Sequence, residues 1–142
     1  MKLAFIVEDE AGYIKLLEKS LKEFGYITKV VCPGRTTSAD VVVSEITTAN
    51  PDLILLDHDF CQCCFIHTPC KCLNGQDIFD RLGFLQHRVI SISGIDRGYI
   101  PNIPWRRNFG FKDCLDLAEV RHNFEILVQN YAHYLQGTEV VT

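Results

Sequence analysis

The chain has 142 residues, 47% of them hydrophobic and 23% charged, with a formal net charge of −4. That is the size and composition of one folded domain, which argues against a disordered chain. The mild acidity offers no basic footprint for nucleic acid, and no apolar run approaches the roughly 20 residues needed to span a bilayer.

Leu3 to Val7 is a short continuous apolar run, as expected of a strand buried on both faces. It is too short for a secretory signal core and is stopped by Glu8-Asp9-Glu10, so the expected compartment is the cytoplasm. From Ala11 to Phe24 the apolar period becomes helical: Ile14, Leu17, Leu21 and Phe24 share a face, and Gly25 follows as a helix stop. Tyr26 to Cys32 reads as a second strand, broken by Pro33-Gly34. Thr37 or Ser38 can cap a second helix to about Ala49, which Asn50-Pro51 ends.

Asp52 to Leu56 reads as a third buried strand running into Asp57-His58-Asp59. A cysteine-rich stretch follows, and Asn74-Gly75 opens a helix expected to reach about Leu85. Arg88 to Ser93 reads as a fourth strand and Phe109 to Lys112 as a short fifth. The segment between them contains Pro101 and Pro104, so a fourth helix is expected to be short or absent. Leu115 to Gln136 has the pattern of a final amphipathic helix.

This alternation predicts an α/β fold with a five-stranded parallel sheet, doubly wound in the flavodoxin-like manner. Residues 1–137 form a single domain, with a cysteine-rich insertion at 60–73 and a short tail at 138–142. No internal repeat is present.

In open α/β sheets, ligands bind beyond the carboxyl ends of the strands. The first strand ends in Glu8-Asp9-Glu10, the third in Asp57-His58-Asp59, and the fourth in Ser91-Ile92-Ser93-Gly94. An acid after a strand is commonly only a loop residue or a helix cap, Ser93 alone is an ordinary turn hydroxyl, and Lys112 alone an ordinary solvated lysine. Together they are less common. Several carboxylates in one crevice repel one another unless a cation joins them, and such hard oxygen donors suit Mg²⁺.

These stretches, in this order, resemble the response-regulator receiver domain over nearly the whole chain. IVEDE at 6–10 resembles the family's acidic pair. DLILLD at 52–57 resembles its phosphoacceptor strand, and LNGQDIF at 73–79 the start of its third helix. VISISG at 89–94 resembles the strand carrying its Ser or Thr, and NFGFKD at 108–113 the strand carrying its lysine.

The resemblance implies that Asp57 is the nucleophile forming an aspartyl phosphate. It also implies that Glu8, Asp9, Asp57 and the backbone carbonyl of Asp59 hold Mg²⁺. Ser93 and Lys112 would contact the phosphoryl group, and Phe109 would be the switch aromatic. The implied partners are a histidine kinase or small phosphodonor and a downstream protein; the oligomeric state is left open.

Three departures stand out: Asp113 replaces the proline expected after the lysine, the stretch from Ser93 to Lys112 is proline-rich and slightly short, and the segment between Asp57 and Gly75 is longer than in the family.

LDHDF at 56–60 also resembles a receiver-like family proposed to process cyclic phosphates. There His58 would act as general acid or base, in a hydrolase using Asp57, His58 and Asp59. A third reading is a degenerate receiver that only binds a partner.

Of seven cysteines, five fall within the twelve residues 61–72. Cys61, Cys63, Cys64, His67, Cys70 and Cys72 are candidate zinc ligands, since a thiolate-rich set in a reducing compartment suits a soft metal. Iron–sulfur binding and free or disulfide-forming thiols remain alternatives, because the spacing is not a paired CxxC knuckle. Cys32 in the second strand and Cys114 near the start of the last helix are expected to be core or inert thiols.

Overall fold

A computed structural model of the chain describes residues 2–34, 37–57, 60 and 73–92. Within them β1 (Lys2–Val7), β2 (Tyr26–Val31), β3 (Leu53–Leu56) and β4 (Val89–Ser91) form a parallel sheet in the order β2-β1-β3-β4. The central strands β1 and β3 come from the two most continuous apolar runs. From Ala4 to Val7 and from Leu53 to Leu56 every residue is buried, because helices cover both faces.

Alternation along the strands divides the core in two. Phe5, Val7, Ile54, Leu56 and Val89 face α2 (Ala39–Ala49) and α3 (Gly75–Asp80), packing with Val42, Ile46, Ile78 and Phe79. Ala4, Ile6, Leu53, Leu55, Ile90 and Ile92 form the opposite cluster with Leu17 and Leu21 of α1 (Ala11–Glu23). Each fully buried Leu or Ile contributes about 1.5–3 kcal/mol of transfer free energy. The register pairs Ile6 with both Val30 and Leu55, so the residues of each strand end lie side by side.

Helix boundaries follow local chemistry. Gly25 takes φ 86° after α1, where glycine meets no Cβ penalty. Ser38 caps α2 by accepting the Asp40 N–H at 3.1 Å. Asn50 ends α2 in the left-handed region, and its Oδ1 accepts from Arg88 Nη1 at 2.9 Å. Asn74 and Asp77 form a reciprocal capping box at the start of α3.

Several expectations are corrected. The helix opening at Asn74-Gly75 stops at Asp80 instead of reaching Leu85, and a 3₁₀ segment, Gly83–Arg88, follows. The last turn tightens: the Arg81 and Leu82 N–H groups donate to Ile78 and Phe79 carbonyls, three residues back. Gly83 then takes φ 58° and breaks the spiral, which lets Leu82 and Leu85 both enter the core. β2 ends at Val31, so Cys32 lies beyond the strand and is exposed. β4 is shorter than expected, although the Ile92 N–H still donates to the Leu56 carbonyl at 3.1 Å.

The expected fifth strand, the segment in place of a fourth helix and the final helix lie outside the described residues. No helix among the described residues is long and apolar enough to cross a membrane.

Candidate functional site

The order β2-β1-β3 makes β1 the strand at which the direction of winding reverses, so the crevice beyond the carboxyl ends of β1 and β3 is the switch point of the sheet. Two hydrogen bonds carry the pairing past the strand ends. The Glu8 N–H donates to the Val31 carbonyl at 3.2 Å, and the Asp57 N–H to the Val7 carbonyl at 3.0 Å. The backbones that bear Glu8 and Asp57 are therefore locked as neighbours.

Carboxylate oxygens of Glu8, Asp9 and Asp57 lie within 4.8 Å of one another. Glu8 and Asp57 are buried, at 0% and 1% exposure, whereas Asp9 is half-buried at the rim. Three acids from two strand ends, separated by about fifty positions of sequence, thus meet where the sequence reading puts them. This grouping matches the chemistry of a divalent-cation site. Mg²⁺ bonds oxygen at about 2.1 Å, so its ligand oxygens stand roughly 3–4 Å apart. Oxygens already within 4.8 Å need only a small side-chain adjustment to meet that requirement.

The turn after β1 is built around Glu8. Its Oε1 accepts the Asp9 N–H at 3.1 Å and the Glu10 N–H at 3.2 Å. Glu10 is the N-cap of α1 and makes no side-chain cap bond of its own. On the other side of the turn, the Cys32 thiol donates to the Asp9 carbonyl at 3.5 Å. The sequence reading missed both contacts. The available signal was positional: a residue directly after β2 must come close to the residues directly after β1 once those strands pair in parallel.

Ser91 is a further residue whose burial the sequence did not suggest. It pairs in register with Leu56 at the end of β4 and is 0% exposed. Of the other expected site residues, His58, Asp59, Ser93, Phe109 and Lys112 lie outside the described residues, as do Cys61, Cys63, Cys64, His67, Cys70 and Cys72. The ends of the cysteine-rich stretch are described. Phe60 and Leu73, 3% and 7% exposed, belong to the same core cluster as Leu56.

No protein-family model matches the chain. No curated protein matches it either. Solved structures do. A signal receiver domain of a modulated diguanylate cyclase from Desulfovibrio desulfuricans G20 is 16% identical, with a TM-score of 0.53, over 93% of this chain and 97% of that one. NtrX from Brucella abortus is 18% identical, with a TM-score of 0.57, over 96% of this chain but only 29% of its own. The chain thus spans under a third of NtrX. Likeness at such identities speaks to architecture, and with the strand order and the acidic switch point it establishes that this chain has a receiver-like fold.

Proposed function

We propose that the chain is a signalling receiver that binds Mg²⁺ between Glu8, Asp9 and Asp57 and accepts a phosphoryl group on Asp57. The observation that carries this reading is the gathering of those three carboxylates at the β1/β3 switch point. A bound Mg²⁺ would supply neutralisation of the negative charge that phosphoryl transfer spreads over the phosphate oxygens.

The chain's own residues do the rest. The Asp57 carboxylate oxygen attacks phosphorus, and the bond from phosphorus to the donor's leaving atom breaks (the imidazole nitrogen of a phosphohistidine, or the bridging oxygen of a small acyl phosphate), with that atom taking the bonding electron pair. Burial of Asp57 beside β1 restricts its rotamers and limits access of bulk water. Ser93 and Lys112 are assigned to the phosphoryl oxygens, and Phe109 to the responding switch, on the sequence resemblance. A histidine kinase or a small phosphodonor would supply the group, and a downstream protein would read it.

The cysteine-rich stretch is proposed to hold zinc through a selection of Cys61, Cys63, Cys64, His67, Cys70 and Cys72. The density of thiols supports this, because a short loop of such composition would gain its folding energy from a metal.

The test is intact-mass measurement after incubation with acetyl phosphate and Mg²⁺. A single added phosphoryl group is expected, absent in EDTA and absent in Asp57→Asn. No adduct under any phosphodonor would overturn the reading. Cyclic-nucleotide hydrolysis abolished by His58→Ala would replace it with the hydrolase.

A further inference from the structure

We propose that the outer edge of β2 is an interaction surface for a second copy of this chain, the two strands pairing antiparallel about a two-fold axis at Thr28. The inference stands apart from the cation site and holds or fails without it.

Register decides which groups this edge offers. The Glu8 N–H donates to the Val31 carbonyl across the β1/β2 pair, so Val31 turns its N–H and C=O toward β1. Backbone groups alternate in direction along a strand. Those of Ile27 and Lys29 therefore also face β1, and those of Tyr26, Thr28 and Val30 point outward. β2 is the terminal strand of the sheet among the described residues, so these outward groups form a template for another strand.

Sheet edges are ordinarily blunted by proline, a bulge, a charge or a covering element. β2 pairs with β1 residue for residue from Tyr26 to Val31, without a bulge and without proline. Every residue in it except Lys29 is aromatic or β-branched, the types that favour strands. On the α2 side the edge is uncovered. A groove of about 350 Å³ lies between β2 and α2, lined by residues that include Lys29, Val31, Ser44, Glu45 and Thr48. Ile27, on the same face as Lys29, is 49% exposed.

Lys29 is the charge on this edge, and it selects the register. With the axis at Thr28, Thr28 meets Thr28 and Tyr26 meets Val30, each pair exchanging both of its N–H···O bonds. Ile27 of each copy then stands opposite Lys29 of the other, where the lysine stem covers exposed apolar surface and the ammonium lies on the face that carries Glu45. With the axis one residue later, Lys29 would oppose Lys29 and repel it. With the axis one residue earlier, Val30 would face Phe24, which is the C-cap of α1 and not part of the strand. A two-fold pairing closes on itself, so a dimer is expected and not a filament.

Sedimentation velocity of the full chain, in reducing buffer from micromolar to near-millimolar concentration, tests this. The wild-type chain is expected to pass from monomer to dimer over that range and to stop there. Thr28→Pro removes an outward N–H and no bond to β1, so it should keep the wild-type circular dichroism and weaken the dimer about tenfold or more. Ile27 is exposed, so its variants leave the core alone. Ile27→Glu sets a carboxylate against Lys29 of the other copy and should tighten the dimer about two- to tenfold, a gain that high salt removes. Ile27→Lys should weaken it by a similar factor.

A chain that stays monomeric throughout overturns the proposal, as does a dimer that folded Thr28→Pro leaves intact. Equal effects of Ile27→Glu and Ile27→Lys refute the register. Should Thr28→Pro fail to fold, the two Ile27 variants decide alone.

Discussion

Replacing Asp57 by Asn takes one negative charge out of a group of three, two of them buried, while preserving side-chain size. Two unit charges 4.8 Å apart repel by about 3.5 kcal/mol at an effective dielectric constant of about 20, and by about 0.9 kcal/mol in bulk water. The Glu8–Asp57 pair is buried and lies nearer the first figure; Asp9 is half-buried, so its pair with Asp57 lies nearer the second. Asn is a weaker acceptor than a carboxylate, which offsets part of the relief.

The net expectation is a gain of about 1–3 kcal/mol for Asp57→Asn in EDTA, against the usual loss for substitution at a buried position. For a domain of this size that is roughly 3–12 °C in Tm. Mg²⁺ should reverse the order. At a hundred times its Kd it stabilises the wild-type chain by about 2.7 kcal/mol and leaves the variant nearly unmoved. Urea unfolding of both proteins, in EDTA and in Mg²⁺, measures all four free energies. A variant less stable than wild type in EDTA, or one stabilised equally by Mg²⁺, would refute the claim that these three charges meet around a cation.

Other expectations concern the scaffold. Burial and the neighbouring Asp52 carboxylate, in that order, raise the Tyr26 phenol above its ordinary value of 10.0. The folded state then holds the proton longer than the unfolded chain does. Its contribution is complete below the unfolded value and is lost as pH rises through the raised folded one, so Tyr26→Phe should flatten the fall in stability as pH rises above the ordinary value of 10.0; equal falls in urea midpoint would contradict this. Asn74→Ala removes the acceptor for the Asp77 N–H and should cost about 1 kcal/mol in denaturant unfolding. Gly83→Ala should cost about 1 kcal/mol from backbone strain alone, since no atom lies near the added methyl; Gly83→Asn should cost less.

Much of the described fold is local in origin and was legible in the chain. Continuous apolar runs became β1 and β3 because a strand covered on both faces has no polar side to show. Ser38, Asn50 and Asn74 marked helix ends because capping depends on near neighbours in sequence. The third helix was overrun because the sequence from Gly75 to Leu85 keeps a helical apolar pattern. Only packing against the sheet favours a tightened turn at Arg81 and a left-handed Gly83.

The acids themselves were visible as strand endings. Their meeting was expected from the receiver resemblance and is realised by β3 lying beside β1, an order that short-range patterns alone do not encode. The exposure of Cys32 and its contact with Asp9 follow from the same neighbourhood of strand ends. Residue types thus determined which elements form and what chemistry is available. The order of strands decided which of those residues touch, because non-local pairing is chosen by the burial of the whole sheet and by no single segment within it.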